Sequence, residues 1–426
     1  MTSNSASAQF SRPLSAHLFG LMWLVNLCSP YLNVALNRPD TPSLIYLIVM
    51  ISMVLSLLIY QHRIQIHLPR AAWVSALYLA YTTLSAIVWG VRQESWGFLV
   101  QGGSVVLALM IYRSPREYRI ILSWITLGMA GFGAFLVWQS VTGYKPPWLT
   151  TRNFLHDVGT FIRAGEGFGE KNYSAALLVL GLVIAWAMAA YEQIPRRAAQ
   201  AALAACALGI LFTFSRGAFI ALAIVLGCYG LPSIRRLGKL ALIGIVLVPV
   251  ALYSFGDIFD LLLGRFSVTN HQDLIQASSR WDQVLGALGM LLDASLMELV
   301  FGRGPFVYIN QIIIHNIPLG ILTEQGVFGL ALWVSLILAI TRSSLKAFRS
   351  GNPYPLMAVA GFLTAGMFIR VEVERIFWIM LFFVHTSPKL VNLSSPPRFI
   401  SPTSRHASEG RHLRLHARQE SPRTAS

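Results

Sequence analysis

A succession of apolar runs, most of them roughly 16 to 22 residues long and separated by short polar breaks, leaves this chain few folds to choose from. Runs of that length suit helices crossing about 30 Å of hydrocarbon. They lack the short, even alternation of barrel strands, so the backbone must satisfy its own hydrogen bonds within helices. The candidate spans are 17–36, 43–61, 71–90, 97–112, 118–139, 173–191, 198–214, 217–231, 238–255, 316–341, 353–370 and 375–388. They predict an all-α integral membrane protein with about twelve transmembrane helices. The spans 97–112 and 375–388 are short and would need local thinning or flanking anchors. Residues 1–16 precede the first run without a convincing small-residue cleavage pattern, so that run is read as a retained helix.

The charges test this layout. Only 12% of residues are charged, and the formal net charge is +15, where a soluble domain carries about 25% charged residues. With both termini cytoplasmic, the short inside connections collect basic groups such as Arg113, Arg116 and Arg119, then Arg196 and Arg197, then Arg342, Lys346 and Arg349. Cytoplasmic loops carry this excess. Topology therefore accounts for the positive charge, and no nucleic-acid partner is implied. The layout is a cytoplasmic N-terminus (1–16), a membrane domain (17–388) with outside loops at about 140–172 and 256–315, and a tail (389–426). The tail is rich in Ser, Pro, Arg and His, cannot bury a core, and reads as a disordered cytoplasmic segment whose arginines can touch anionic headgroups. Cys28, Cys206 and Cys228 lie within apolar runs, away from metal-ligand spacing, and read as packing residues.

The outside arginines have no topological reason to exist. Arg216, in FTFSRGAFIAL, falls between two spans with almost no loop. Position alone leaves it two readings, snorkelling to the headgroups or facing a polar site. The loop 256–315 adds Arg265, Arg280 and Arg303 and runs into His315 of HNIPLGILTEQG. At about 100° per residue, His315 and Gly326 fall within roughly 20° of one helix face. Glu324 falls about half a turn away, which suggests a buried ion-pair partner. Within the loop, RWDQVLGALGMLLDASLMELVFG sets Trp281, Leu285, Leu288 and Leu292 near one face of an amphipathic helix beginning at Arg280, which could lie at the interface as a lid. In FGRGPF the glycines suit a tight turn rather than a nucleotide loop. Trp138, Trp148 and Trp281 fit an aromatic belt as readily as sugar stacking. Arg370, Glu372, Glu374 and Arg375 read as a self-neutralising turn.

Arg163 with GFGEKN, then SRGAFIAL, then Arg280 and Trp281 ahead of FGRGPF, then HNIPLGILTEQGVFGLAL, occur in an order that resembles bacterial O-antigen ligases and O-antigen or exopolysaccharide polymerases. The resemblance covers roughly residues 160–340, and the spacing from His315 to Gly326 is its most specific part. The ligase pattern has a leucine four positions after the arginine; here that position is Ile220, with Leu222 following.

The resemblance implies a GT-C-like glycosyltransferase of the bacterial inner membrane, with its active site on the periplasmic side. Its donor would be an undecaprenyl-diphosphate-linked oligosaccharide, and its acceptor a growing glycan or lipid A-core. Other polysaccharide assembly proteins and membrane lipids are the further partners, and neither cofactor nor metal is implied. By carry-over, His315 is the base, Arg216 and Arg280 bind the diphosphate with Arg303 and Arg163 as further ligands, and Gly326 is a packing residue. These residue types suit the chemistry: arginine offers a permanent charge and a bidentate fork to phosphate, and an imidazole can take a proton near neutral pH. A polymerase of repeat units is the leading expectation, and a ligase to lipid A-core the alternative. A transporter or flippase fits less well, because no internal repeat is visible and the outside charges cluster in two loops.

Overall fold

The helices begin and end where side chains can complete the backbone. The computed structural model describes residues 4–28, 48, 51–52, 55, 70–90, 93–112, 114–144, 157–158, 161–162, 171–230, 271–305, 307, 314, 316–367, 369 and 375–391. Over these the chain forms α1 (Asn4–Leu27), α2 (Arg70–Trp89), α3 (Gln93–Ile111), α4 (Pro115–Thr142), α5 (Lys171–Ala190), α6 (Arg196–Thr213), α7 (Arg216–Gly230), α8 (His271–Leu292), α9 (Leu296–Phe301), α10 (Ile317–Arg349), α11 (Tyr354–Gly366) and α12 (Arg375–Leu390). A two-residue antiparallel pair, β1 (Asp157–Val158) with β2 (Phe161–Ile162), lies between α4 and α5. In α4, Ser114 and Glu117 form a reciprocal capping box, Pro115 takes a position where its missing N–H costs nothing, and Gly143 closes the helix in the left-handed region.

Helices overlie the expected spans except 43–61 and 238–255, which lie largely or wholly outside the described residues. Among the described residues, four helices are long and apolar enough to cross a membrane: Ala72–Trp89, Pro115–Thr142, Asn172–Ala190 and Ile317–Arg349. The two short expectations resolve differently. α3 starts four residues before the expected span, at Gln93, and reaches 19 residues. α12 has 16 residues but is buried on all sides from Ile376 to Val384, so protein rather than lipid surrounds it.

α5 and α12 are the inner helices. α1 packs on α4, α4 on α6, α6 on α5, α5 on α11, α11 on α7 and α10, and α10 on α2. At the α4–α6 crossing a Cβ on Gly209 would stand 2.9 Å from Gly133 Cα, so two glycines let these backbones meet. Leucine, isoleucine and valine side chains such as Leu77, Leu84, Ile87 and Val334 point outward, the arrangement of a protein embedded in lipid.

Polar contacts define two ends. At one, Ser15 meets Tyr112, Lys389 donates to Tyr118, Arg119 donates to the Gln193 carbonyl, and Tyr191 bonds Asn352 and Ser387. This end gathers the basic connections at 113–119, 191–197 and 342–353. At about 1.5 Å per residue, the first turn of α5 and the first third of α10 lie about 30 Å away, at the opposite end. There Arg375 donates to the carbonyl and side-chain oxygens of Asn26 at the end of α1, at 2.6 and 3.1 Å.

Candidate functional site

The opposite end holds two constructions made from the residues singled out above. The first is the α6–α7 turn. α6 stops at Thr213, Phe214 adopts φ 50° and donates its N–H to the Leu211 carbonyl, and α7 begins at Arg216. Two residues thus separate the helices. Ser215, 1% exposed, holds the turn: its hydroxyl donates to Asn172 Oδ1 at 2.8 Å and accepts the Ala218 N–H at 3.4 Å. Asn172 ends the GFGEKN segment and lies in the first turn of α5, so two stretches that read as separate motifs are joined through one half-buried hydrogen bond. Arg216, partly buried, is the first residue of α7. Backbone N–H groups in a helix's first turn lack intrahelical acceptors and carry partial positive charge, so arginine there adds to a field that favours an anion.

The second construction joins the FGRG turn to α10. α9 is capped by Ser295, whose hydroxyl accepts the Glu298 N–H while the Glu298 carboxylate accepts the Ser295 N–H. It ends at Gly302, with φ 76°. Beyond it the N–H groups of Arg303 and Gly304 both donate to the Glu324 carbonyl, at 3.0 and 2.9 Å. That carbonyl is available because α10 is broken at Gly326, whose φ 67° and ψ −174° are not helical. A Cβ on Gly326 would stand 2.5 Å from both Gly302 N and Val300 O, so glycine is required by conformation and by space. The Tyr81 hydroxyl lies 2.9 Å from the Phe301 carbonyl and 2.7 Å from the Gln325 carbonyl, sharing its proton between α9 and the break. Thr82, bonded to Tyr78 O, lies 3.3 Å from Gln325 Oε1, and Gln325 Nε2 donates to the Tyr78 hydroxyl.

These facts correct the helical arithmetic that linked His315 to Gly326 and Glu324. Asn316 caps α10, its Oδ1 accepting the Leu319 N–H at 3.1 Å, so the helix starts at Ile317 and is interrupted at Gly326. His315 precedes the cap, and 100° per residue cannot relate residues on either side of a helix start or a break. Glu324 is buried, at 1% exposure. The start of the loop helix is also earlier than expected. α8 begins at His271, which sets Arg280 in its interior rather than at its N-terminus. Its apolar face is as expected: Leu285, Leu288 and Leu292 are exposed on it, continued by Leu296 and Met297. Gly302 and Gly304 adopt positive φ, the tight turn expected of FGRGPF.

Arg303 is already engaged. Its Nε stands 2.9 Å from Glu298 Oε1 and its Nη2 donates to Oε2 at 3.1 Å, a bidentate pair. The Ser295 N–H first, and Arg303 next, hold the Glu298 carboxyl below the ordinary carboxylate range. Arg375 donates to Asn26, and Arg370, Glu372 and Glu374, the other members of the expected self-neutralising turn, lie outside the described residues. So do His315 and Arg163, and Arg280 is placed by its backbone alone. The structure thus brings together Arg303 with Gly326, and Asn172 with the Arg216 turn. Sequence reasoning passed over Ser215, Asn172 and Tyr81. The first two stood inside quoted motifs, whereas Tyr81 lies in an apolar run with no local signal.

A search of curated proteins finds no match for the chain. Residues 201–334 match the family model described as O-antigen ligase. The matched stretch runs from the first turns of α6, through the Arg216 turn and the α9 clasp, to beyond the break at Gly326. Over that stretch, about a third of the chain, the sequence is similar to the O-antigen ligase family.

Proposed function

We propose that this membrane protein is a glycosyltransferase of the bacterial inner membrane that joins an undecaprenyl-diphosphate-linked oligosaccharide to an acceptor glycan on the periplasmic side, polymerising exopolysaccharide or O-antigen repeat units. The observation that carries this is Arg216, the first residue of α7, which lies within the matched segment beside Ser215 and its half-buried bond to Asn172. The twelve-helix layout with both termini cytoplasmic puts that turn outside, with α8 along the interface above it.

In this mechanism the acceptor hydroxyl oxygen attacks the anomeric carbon of the donor sugar. The bond from that carbon to the diphosphate oxygen breaks, and the polyprenyl diphosphate leaves with the electron pair. Arg216 and the N-terminus of α7, with Arg280 of α8, stabilise that growing negative charge. His315 takes the hydroxyl proton. Arg163 is a further diphosphate ligand, and Arg303 can join only by leaving Glu298. The exposed apolar face of α8 rests on lipid and keeps the helix over the donor's headgroup. Transfer to lipid A-core is the second reading, favoured by the description of the matched family.

The test uses purified protein, a synthetic polyprenyl-diphosphate oligosaccharide and two acceptors, the repeat oligosaccharide and lipid A-core. His315→Ala should slow transfer by about 10²–10⁴-fold, the usual contribution of a general base, while donor binding persists. Extension of the oligosaccharide supports polymerisation, and transfer to lipid A-core alone supports the ligase reading. A His315→Ala enzyme turning over at the wild-type rate would remove the base from the mechanism.

A further inference from the structure

The basic end of the bundle, remote from the Arg216 turn, contains a cavity of about 520 Å³ walled by the ends of α5, α10, α11 and α12. Its size is that of a ligand pocket rather than a packing defect. Much of its lining is apolar, from Ala190, Ala347, Tyr354, Pro388 and Val391. Most of its polar atoms are spoken for. Tyr191 bonds Asn352 and Ser387, and the Ser350 hydroxyl donates to Ala347 O. Two polar groups on the cavity wall remain for a ligand: the Lys346 ammonium, and the Ser343 hydroxyl, which forms no hydrogen bond among the described residues.

Lys346 does not stand alone. Arg342, Lys346 and Arg349 are spaced four and three positions apart on α10, so they form one stripe about 10 Å long. All three are exposed, and none forms an ion pair among the described residues. Like charges at this spacing disfavour the helix that carries them, and an anion at the stripe would offset that. The ligand that fits has an anionic head for the stripe and an apolar body for the cavity. The chain's own tail does not fit, because beyond Val391 it carries six arginines against two glutamates.

We propose that this cavity binds one anionic phospholipid, with its phosphate at Lys346 and Ser343 and its glycerol and upper acyl carbons against Ala347, Pro388 and Val391. Basic pockets between membrane helices take such headgroups. The site is separate from the transfer site and is read by binding alone, so its fate does not depend on the glycosyltransferase reading.

The test is native mass spectrometry of the full chain in detergent, titrated with phosphatidylglycerol or phosphatidylcholine. One phosphatidylglycerol should be retained per chain, with a preference of about tenfold over phosphatidylcholine. Lys346→Gln should cut that preference several-fold, and Ser343→Phe, which fills the cavity mouth, should abolish retention. Lys346 is exposed, so its variant keeps the test open if Ser343→Phe does not fold. Equal retention of the two lipids, or phosphatidylglycerol retention unchanged in Lys346→Gln, would overturn the proposal. So would displacement by free glycerol phosphate as effective as by intact lipid, since the apolar wall would then contribute nothing.

Discussion

Gly302 and Gly326 lie against one another: each leaves no room for a Cβ, because the Gly302 nitrogen stands where a side chain on Gly326 would begin, and the Glu324 carbonyl where one on Gly302 would begin. Both have positive φ, at 76° and 67°. The glycine that makes the His315-to-Gly326 spacing recognisable is therefore a point of backbone contact, not a helix-face residue.

Gly326→Ala should destabilise the protein by about 2–4 kcal/mol, from left-handed strain plus overpacking. Thermal unfolding in detergent reads this as a fall of several degrees. Gly302→Ala should cost a similar amount. The double variant should cost less than the sum, by more than about 0.5 kcal/mol, because either change already separates the same two backbones.

Ser215→Ala removes the hydroxyl that donates to Asn172 Oδ1 and the cap of α7 together. A loss of about 0.5–2 kcal/mol is expected, the scale of a helix N-cap removed. The same variant should weaken donor binding, raising KM more than it lowers kcat, because it displaces Arg216 without touching the base. Unchanged kinetics in a folded Ser215→Ala protein would disconnect this bond from the site.

Arg216→Lys keeps the charge but loses the planar fork. Transfer should fall by on the order of 2–3 kcal/mol of transition-state stabilisation, the scale of charged hydrogen bonds. Steady-state rates on a synthetic donor provide the check, and near-normal output would favour snorkelling at the headgroups.

The Glu298 carboxyl is held below its ordinary value of 4.5 by the Ser295 N–H and by Arg303. A carboxyl with a depressed folded pKa contributes stability that is present above the unfolded value and lost as pH falls through the folded one. Wild-type melting temperature should therefore drop below about pH 4.5, and the drop should be shallower in Glu298→Gln, which cannot titrate. Parallel curves would mean that the Arg303 pair is of no consequence to folding.

Much of the helical plan was legible because apolar runs of bilayer length admit few alternatives, and because Ser-Arg-Gly between two runs leaves no room for a loop. The break in α10 was not legible. A lone glycine in an apolar helical pattern looks the same whether it packs a neighbour or adopts positive φ, and here the choice is made by Gly302 arriving from the preceding segment. The start of α8 was missed because HQDLIQASS has no sustained apolar period, so Arg280 looked like a first residue. The capping box of Ser295 and Glu298 was readable at its spacing, but it sits inside what scanned as one continuous amphipathic stretch. The bond from Ser215 to Asn172 joins residues 43 positions apart, which periodicity cannot report.

The clasp at Gly302–Gly304 also decides how the α8–α9 segment can move. Two N–H groups of the turn and the Tyr81 hydroxyl are committed to carbonyls freed by the α10 break, so sliding α9 would strand these acceptors at once. α9 is therefore anchored at the α10 break, and α8, joined to it through Asp293, Ala294 and Ser295, rests on α10 as well. A change in the angle between α8 and α9 would therefore have to bend at Asp293, Ala294 and Ser295 and also part α8 from α10, two costs that keep Arg280 at a fixed place along the segment.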